Sequence, residues 1–116
     1  RVRGGIVLVA MAGAAGAGTV AYVQGKYSMN VNGNLKDVYN AAIEAVQSND
    51  NYVVTKKTIT ATEAVIKGST KVDATDFSIS IEKLTDKASK VTIKFGTFGD
   101  RAASETLMNK IQENLS

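Results

Sequence analysis

Residues 77–95 read FSISIEKLTDKASKVTIKF and decide the fold. Phe77, Ile79 and Ile81 alternate with serines, and the run from Val91 to Phe95 alternates in the same way with threonine and lysine. Alternation with a period of two is typical of a β-strand with one buried and one solvated face. The polar residues Thr-Asp-Lys at 85–87 predict the turn between the two runs. The stretch therefore predicts an antiparallel pair of strands.

Working outward from this pair, the chain predicts further strands and two helices. Asn34 and Asp100 are suited to cap the N-termini of these helices, because their side-chain oxygens can accept hydrogen bonds from backbone N–H groups of the first turn. The predicted elements are a strand over 27–31, a helix over 35–47, strands over 52–60, 64–69, 77–81 and 91–95, and a helix over 101–115.

The order β-α-β-β-β-β-α predicts an α+β fold. Strands and helices do not alternate regularly, which argues against a doubly wound parallel sheet. Both helices carry an apolar stripe; the last one carries Leu107, Met108, Ile111 and Leu115. We therefore expect an antiparallel β-sheet covered on one face by the two helices.

Two regions are predicted along the chain: an apolar segment rich in Gly and Ala over 1–24, and the α+β domain over 25–116. Residues 6–23 contain no charge, and their length lies at the lower limit for a membrane span. Three interpretations stay open: the end of a signal peptide, a weak span or membrane-lying segment, and a soluble segment packed on the domain. The first two place the chain at a membrane.

The composition excludes several kinds of chemistry. The chain has no Cys and no His, which removes the thiolate nucleophile, the commonest general base and the commonest zinc ligands. The net charge is +3, but Arg1 and Arg3 supply two of these charges, so the domain itself is nearly neutral. We therefore expect a protein that is not an enzyme, uses no cofactor and does not bind nucleic acid.

The short motifs are weak. Gly13, Gly16 and Gly18 lack the lysine and hydroxyl spacing of a phosphate-binding loop, and close packing of small residues or a flexible linker explains them better. Asp73 and Asp76 lack the spacing of an EF-hand, and a solvated loop is the better interpretation.

Four lysines are candidates for a basic patch. Lys56 and Lys57, with Lys90 and Lys94, are expected on the outer sheet face. A solvated face is the simple interpretation. Weak attraction to anionic lipid is the functional one, whereas the lack of interleaved aromatic residues argues against single-stranded nucleic acid.

The candidate ligand site is a cavity between the last helix and the sheet. Its expected lining is Tyr39, Phe95, Met108 and Ile111, and Phe98 is a further candidate for the lining. Such a cavity would hold an apolar small molecule, and the flexible Met108 would let it adjust its shape. The simple alternative is a filled core.

Two longer motifs, GAGTVAYV at 16–23 and GTFGD at 96–100, together with the order of elements, resemble a family of small bacterial lipoproteins of unknown function. The resemblance implies export and a lipidated Cys just upstream in the precursor, although this sequence itself lacks the Cys. It also implies anchoring at the outer membrane, in the periplasm or at the cell surface. The resemblance further implies a fold similar to the Bet v 1 group, in which a long C-terminal helix packs across an antiparallel sheet. Proteins of that group often bind apolar ligands.

These observations lead to two expected functions. The first is an envelope domain, tethered to the membrane by a lipid anchor of the precursor, that binds an apolar small molecule in the cavity or an envelope protein. The second is a structural or protein-interaction module of the envelope with a filled core, which acts through an outer surface or through the Gly/Ala segment.

Overall fold

Six strands form a single antiparallel sheet in the computed structural model, which describes residues 20–115. The strands are β1 (Val20–Val23), β2 (Lys26–Asn32), β3 (Tyr52–Ile59), β4 (Glu63–Thr70), β5 (Asp76–Thr85) and β6 (Ala88–Phe95). Their order across the sheet is β1-β2-β6-β5-β4-β3. The last four strands follow one another as hairpins, and β2 pairs with β6 to join the N-terminal pair to this meander.

Two helices, α1 (Leu35–Gln47) and α2 (Arg101–Leu115), cover one face of the sheet. Helix α1 packs on β3, β4 and β5, helix α2 packs on β2 and β6, and the helices also pack on each other. The apolar alternation of the strands and the stripes of both helices meet in one buried cluster. The predicted α+β class is confirmed, and so is the predicted order of elements from Lys26 onward. The Bet v 1 likeness stays a prediction.

Both predicted helix caps are present. The Asn34 side-chain oxygen accepts a hydrogen bond from the backbone N–H of Asp37 at 2.8 Å, and Asp100 accepts one from Ala103 at 3.0 Å. Each cap satisfies a donor that the first helical turn leaves without an intrahelical partner. The caps therefore fix where each helix leaves its loop.

Strand β1 is an element that the sequence pattern did not predict. It pairs with β2 from Val20 opposite Met29 to Val23 opposite Lys26. Gln24 and Gly25 form the two-residue turn, and both have positive φ (54° and 82°), as the primed turns that suit β-hairpins require. The sheet thus extends four residues into the predicted N-terminal segment, 1–24.

The rest of that segment, including Gly13, Gly16 and Gly18, lies outside the described residues. Within 20–115, neither helix has the length and apolarity needed to cross a membrane.

A β-bulge in β3 explains why the alternation of this strand is ambiguous in the sequence. Val54 pairs with Gly68 and Lys56 pairs with Lys67, so Thr55 has no partner of its own on β4. The extra residue inverts the side-chain parity within the strand. Val54 is half-buried and packs against the core, while Lys56 points to the same side as Lys67, on the open face.

Candidate binding surface at the loop end

Four connections meet at one end of the sheet, which we call the loop end. They are the turn at 24–25, the segments 48–51 and 71–75, and the loop 96–100 between β6 and α2. Between the last three lies a depression of ≈ 510 Å³ that is open to solvent. The loop end is the place where side chains from distant parts of the chain converge.

Aromatic side chains form the floor of this depression. The ring of Phe77 stacks on Phe95 with centroids 5.1 Å apart, and Tyr52 contacts both rings at 5.1 and 5.8 Å. Tyr52 and Phe95 line the depression. Ring pairs at such distances stabilise each other beyond the area that they bury, so the floor is firmly packed.

Segment 71–75 is held by side-chain hydrogen bonds. The Asn51 side-chain oxygen accepts hydrogen bonds from the backbone N–H groups of Lys71 (3.1 Å) and Val72 (3.0 Å). The Asp73 carboxylate accepts hydrogen bonds from the hydroxyls of Thr70 and Thr75, the latter at 2.9 Å. These bonds fix the segment while the Val72 side chain remains 84% exposed.

Loop 96–100 is held by a close approach of two backbones. A Cβ atom added to Gly25 would lie 2.6 Å from the carbonyl oxygen of Phe98, and one added to Gly99 would collide with the Cα atom of Gly25. At its start, the Gly96 N–H donates to the Asp76 carbonyl at 2.7 Å. Although the loop is anchored at both ends, its Phe98 side chain is 90% exposed.

The charge at the depression is negative. Its charged lining residues are Asp73 and Asp100, and no Lys or Arg lines it. The hydroxyls of Thr70 and then Thr75 lower the pKa of Asp73, because they donate to its charged form. Burial, followed by the Asp100 charge, raises the pKa of Tyr52. At pH 7 the Asp73 carboxylate is therefore anionic and the Tyr52 phenol neutral.

A family model described as a protein of unknown function, DUF3568, matches residues 2–114. The chain belongs to the DUF3568 family. No curated protein matches it. Family membership therefore brings no activity with it, and the function of this DUF3568 domain has to be argued from its surfaces.

The four residues expected to line a cavity are spread along the domain. Phe95 ends β6 at the loop end, whereas Tyr39 is half-buried in α1, which begins at the opposite end of the sheet. Met108 and Ile111 are fully buried in the middle of the apolar cluster, on the stripe of α2 that faces the sheet. Phe98, which was a further candidate for the lining, is instead exposed to solvent on loop 96–100. The ligand cavity of the DUF3568 domain stays a prediction.

One polar atom in the core has no partner among the described residues. The Ser104 side chain lies on the buried stripe of α2, one turn before Met108, and its hydroxyl makes no hydrogen bond. A buried hydroxyl without a partner is unfavourable because it has lost its hydrogen bonds to water. Position 104 is thus a polar point on the buried side of α2.

Asp73 and Asp76 do not act as a pair. Asp73 is occupied by threonine hydroxyls, while Asp76 begins β5 and, because Phe77 points inward, faces the open side of the sheet. Across residues 20–115, no three acidic side chains lie close enough together to hold a metal ion. The solvated-loop interpretation suits Asp73, whereas Asp76 is an exposed residue of strand β5.

The lysines of the predicted basic patch separate in the structure. Lys56 and Lys94 lie on the open face of the sheet. Lys57 is opposite the buried Ile66 and has the other parity, at the sheet edge, because neighbouring residues of a strand point to opposite faces. The bulge decides that Lys56, and not Lys57, is on the open face. Lys90 is exposed opposite Glu82, in a different row from Lys56 and Lys94. Sequence reasoning missed Lys26 and Lys67, since only the strand register shows that they share a row with Lys56 and Lys94.

Proposed function

We propose that this DUF3568 domain is a non-enzymatic interaction module of the bacterial cell envelope that binds a partner protein at the loop end. The exposed Phe98 carries the proposal. Phe98 is 90% exposed, and because its loop is fixed at both ends, its ring stays in contact with water, which is unfavourable for an apolar side chain. Aromatic side chains, Phe included, are enriched in protein–protein interfaces relative to the rest of the protein surface.

The surroundings of Phe98 indicate the chemistry of the partner. Val72 adds a second exposed apolar side chain across the depression, and Asp73 and Asp100 supply its charge. A complementary surface would combine an apolar side chain that enters the depression with basic groups at its rim. We therefore expect a partner segment that carries apolar and basic residues.

The cell-envelope location rests on the sequence. The uncharged stretch 6–23 and the likeness to small bacterial lipoproteins support export and a lipid anchor on the precursor, with the domain at the outer membrane, in the periplasm or at the cell surface. A closer kinship to Francisella lipoprotein three, an outer-membrane-associated virulence determinant, is part of the same proposal. The absence of His and Cys from the sequence supports a non-enzymatic role.

Site-specific photocrosslinking in living cells tests the proposal. A photoreactive phenylalanine analogue is placed at position 98 or 72 of the full-length precursor, and at position 110 on the exposed side of α2 as the matched control. We expect a discrete crosslinked product at 98 and 72 and none at 110. The product formed at 72 should disappear when Phe98 is changed to Ser. A similar pattern at all three positions would show that the loop end is not a specific site.

The second candidate function is binding of an apolar small molecule between α2 and the sheet. One observation favours it: the unpartnered Ser104 hydroxyl would gain a hydrogen bond from a ligand that carries a polar head. This reading predicts that Met108→Ala changes the affinity for an apolar fluorescent probe, because it alters the volume beside Ser104, while Lys90→Ala on the open face does not. Wild-type binding by both variants, or no binding at all, would contradict the idea.

A further inference from the structure

The register of the sheet aligns four lysines in one row on its open face. Across the strands, Lys26 is opposite Lys94, Lys94 is opposite Ser78, Ser78 is opposite Lys67, and Lys67 is opposite Lys56. The row thus crosses five neighbouring strands, from β2 to β3, with lysine on four of them. We call these four residues the lysine row.

The lysine row faces solvent, with Lys26, Lys56 and Lys67 exposed and Lys94 half-buried. Within residues 20–115, the ion pairs are Lys83–Asp86 and Lys110–Glu113, so none of the four lysines is neutralised by an ion pair there. Both helices pack on the opposite face. The next row across the open face consists largely of short hydroxyl side chains, which leave the lysine stems unobstructed; it includes Ser28, Thr92, Ser80 and Thr58.

The arrangement has an electrostatic cost. Lys26 faces Lys94 and Lys67 faces Lys56, and like charges directly opposite each other on adjacent strands are destabilising. Asp76, two residues before Ser78, borders the row, but one carboxylate does not balance four cations. A surface of negative charge bound to this face would relieve the repulsion.

Two simpler explanations account for only part of the row. Lysines on an edge strand prevent edge-to-edge association, which explains Lys56 on β3 but not Lys94 and Lys67 on interior strands. Single-stranded nucleic acid requires aromatic side chains for base stacking, and the Phe and Tyr residues of the described strands have the inward parity.

We propose that the open face of the sheet binds the surface of a bilayer that contains anionic lipid, through the phosphate groups that the lysine row contacts. The sheet twist rotates neighbouring strands by roughly 20–25°, and the flexible four-carbon lysine stems can compensate for it. This membrane docking adds to the proposed envelope function. It does not depend on a partner at the loop end, because the basic lysine row and the acidic depression at the loop end are different surfaces that attract different ligands.

Vesicle co-sedimentation of the full chain tests the docking. The vesicles are of phosphatidylcholine alone or of phosphatidylcholine with about 30% phosphatidylglycerol. Because each lysine near an anionic surface strengthens binding about fivefold, we expect the double variant Lys67→Gln/Lys94→Gln to bind the anionic vesicles roughly 25-fold more weakly. Asp76→Asn should bind more tightly. Binding should weaken strongly in 0.5 M salt, where charges are screened within roughly 4 Å.

The matched control is Lys36→Gln/Lys110→Gln, which removes the same charge from the helical side and should bind within about twofold of wild type. Equal weakening in both double variants would overturn the proposal, since net charge alone would then act; so would equal binding to neutral and anionic vesicles. Thermal unfolding confirms that each variant is folded, and the crosslink at Phe98 should persist in all of them.

Two further arms distinguish other anions. Millimolar inorganic phosphate should not displace the vesicles; displacement would indicate a site for a free anion instead. A single-stranded oligonucleotide that binds more tightly than anionic vesicles, and loses affinity in Lys67→Gln/Lys94→Gln, would assign the face to nucleic acid and overturn the proposal.

Discussion

Gly99 and Gly25 bring two backbones together where side chains would collide, and this contact positions Phe98. Gly99 has a φ of 88° and a Cβ there would meet the Gly25 backbone. Gly99→Ala is therefore expected to lower the free energy of unfolding by about 3 kcal/mol. Denaturant titration followed by circular dichroism measures the change.

Gly96→Ala is the matched control for this substitution. Gly96 also has a positive φ, 69°, but an added Cβ would only touch the Thr75 methyl group at 3.4 Å. Its loss of stability should be limited to the backbone penalty of about 1–2 kcal/mol. Equal losses at 96 and 99 would show that the approach of Gly25 to Gly99 contributes nothing.

The Ser104 hydroxyl offers a substitution that should stabilise the protein. It is buried and makes no hydrogen bond within the described part of the chain, and Ala favours helix more than Ser. Ser104→Ala is expected to raise the free energy of unfolding by about 1 kcal/mol, measured as a higher midpoint of thermal unfolding. A lower midpoint would mean that the hydroxyl has a partner, such as a bound ligand.

Residue-scale features could be predicted from the sequence where their causes are local. The caps Asn34 and Asp100 depend on a side chain and the backbone three residues later, so the sequence alone predicts them. The exposure of Phe98 depends on the contact between Gly25 and Gly99, which are far apart in the chain, and an aromatic residue near a strand end looks the same whether it is buried or exposed.

At the scale of the element, segment 71–75 should respond to acid. The threonine hydroxyls hold the pKa of Asp73 below its ordinary value, so its stabilising contribution is present above about pH 4, the ordinary value, and is lost as the pH falls through the folded pKa. We expect the melting temperature of wild type to exceed that of Asp73→Asn at pH 6, and the two to converge near pH 2. A difference that is independent of pH would contradict this assignment.

The helices and the central strands were predictable because their hydrophobic periods are regular. The two edge strands were harder. In β3 the bulge at Thr55 breaks the period, and β1 lies in an apolar segment where Val20–Val23 fits a strand, a span or a signal peptide equally well. The pairing of β1 with β2 identifies Val20–Val23 as a strand, and this pairing cannot be read from the local sequence pattern.

At the scale of the whole molecule, β1 completes the sheet, so where the N-terminus is cut should matter. Tyr22 contacts Tyr27 at 6.4 Å and lies 5.6 Å from the Arg101 guanidinium, which links β1 to both β2 and α2. A chain that begins at Lys26 is expected to unfold at a lower temperature than one that begins at Thr19, and to self-associate through the exposed edge of β2.

Calorimetry and light scattering of the two truncated chains measure these effects. A chain that begins at Thr19 and carries Tyr22→Ala keeps all four β1 residues paired with β2 and serves as the control for the ring contacts alone. Identical melting temperatures for the chains that begin at Lys26 and Thr19 would mean that β1 does not contribute to the stability of the domain.

The lysine row could not be predicted at any smaller scale. Lys26, Lys56, Lys67 and Lys94 are scattered through the sequence, and a one-residue slip of any strand would move its lysine to the other face. The sequence pattern predicted a basic outer face, and only the register of the whole sheet identifies its members.

The order of the strands also determines when each strand can pair with its neighbour during synthesis. Strand β2 leaves the ribosome early, but its partner β6 follows only after α1 and three further strands, which at roughly 5–20 residues per second takes several seconds. The meander from β3 to β6 needs only short-range closures, whereas joining β2 to it closes a long loop, which is the slower kind of event. The N-terminal hairpin is thus the first part of the domain to be synthesised, and we expect it to be the last to pair with the rest of the sheet.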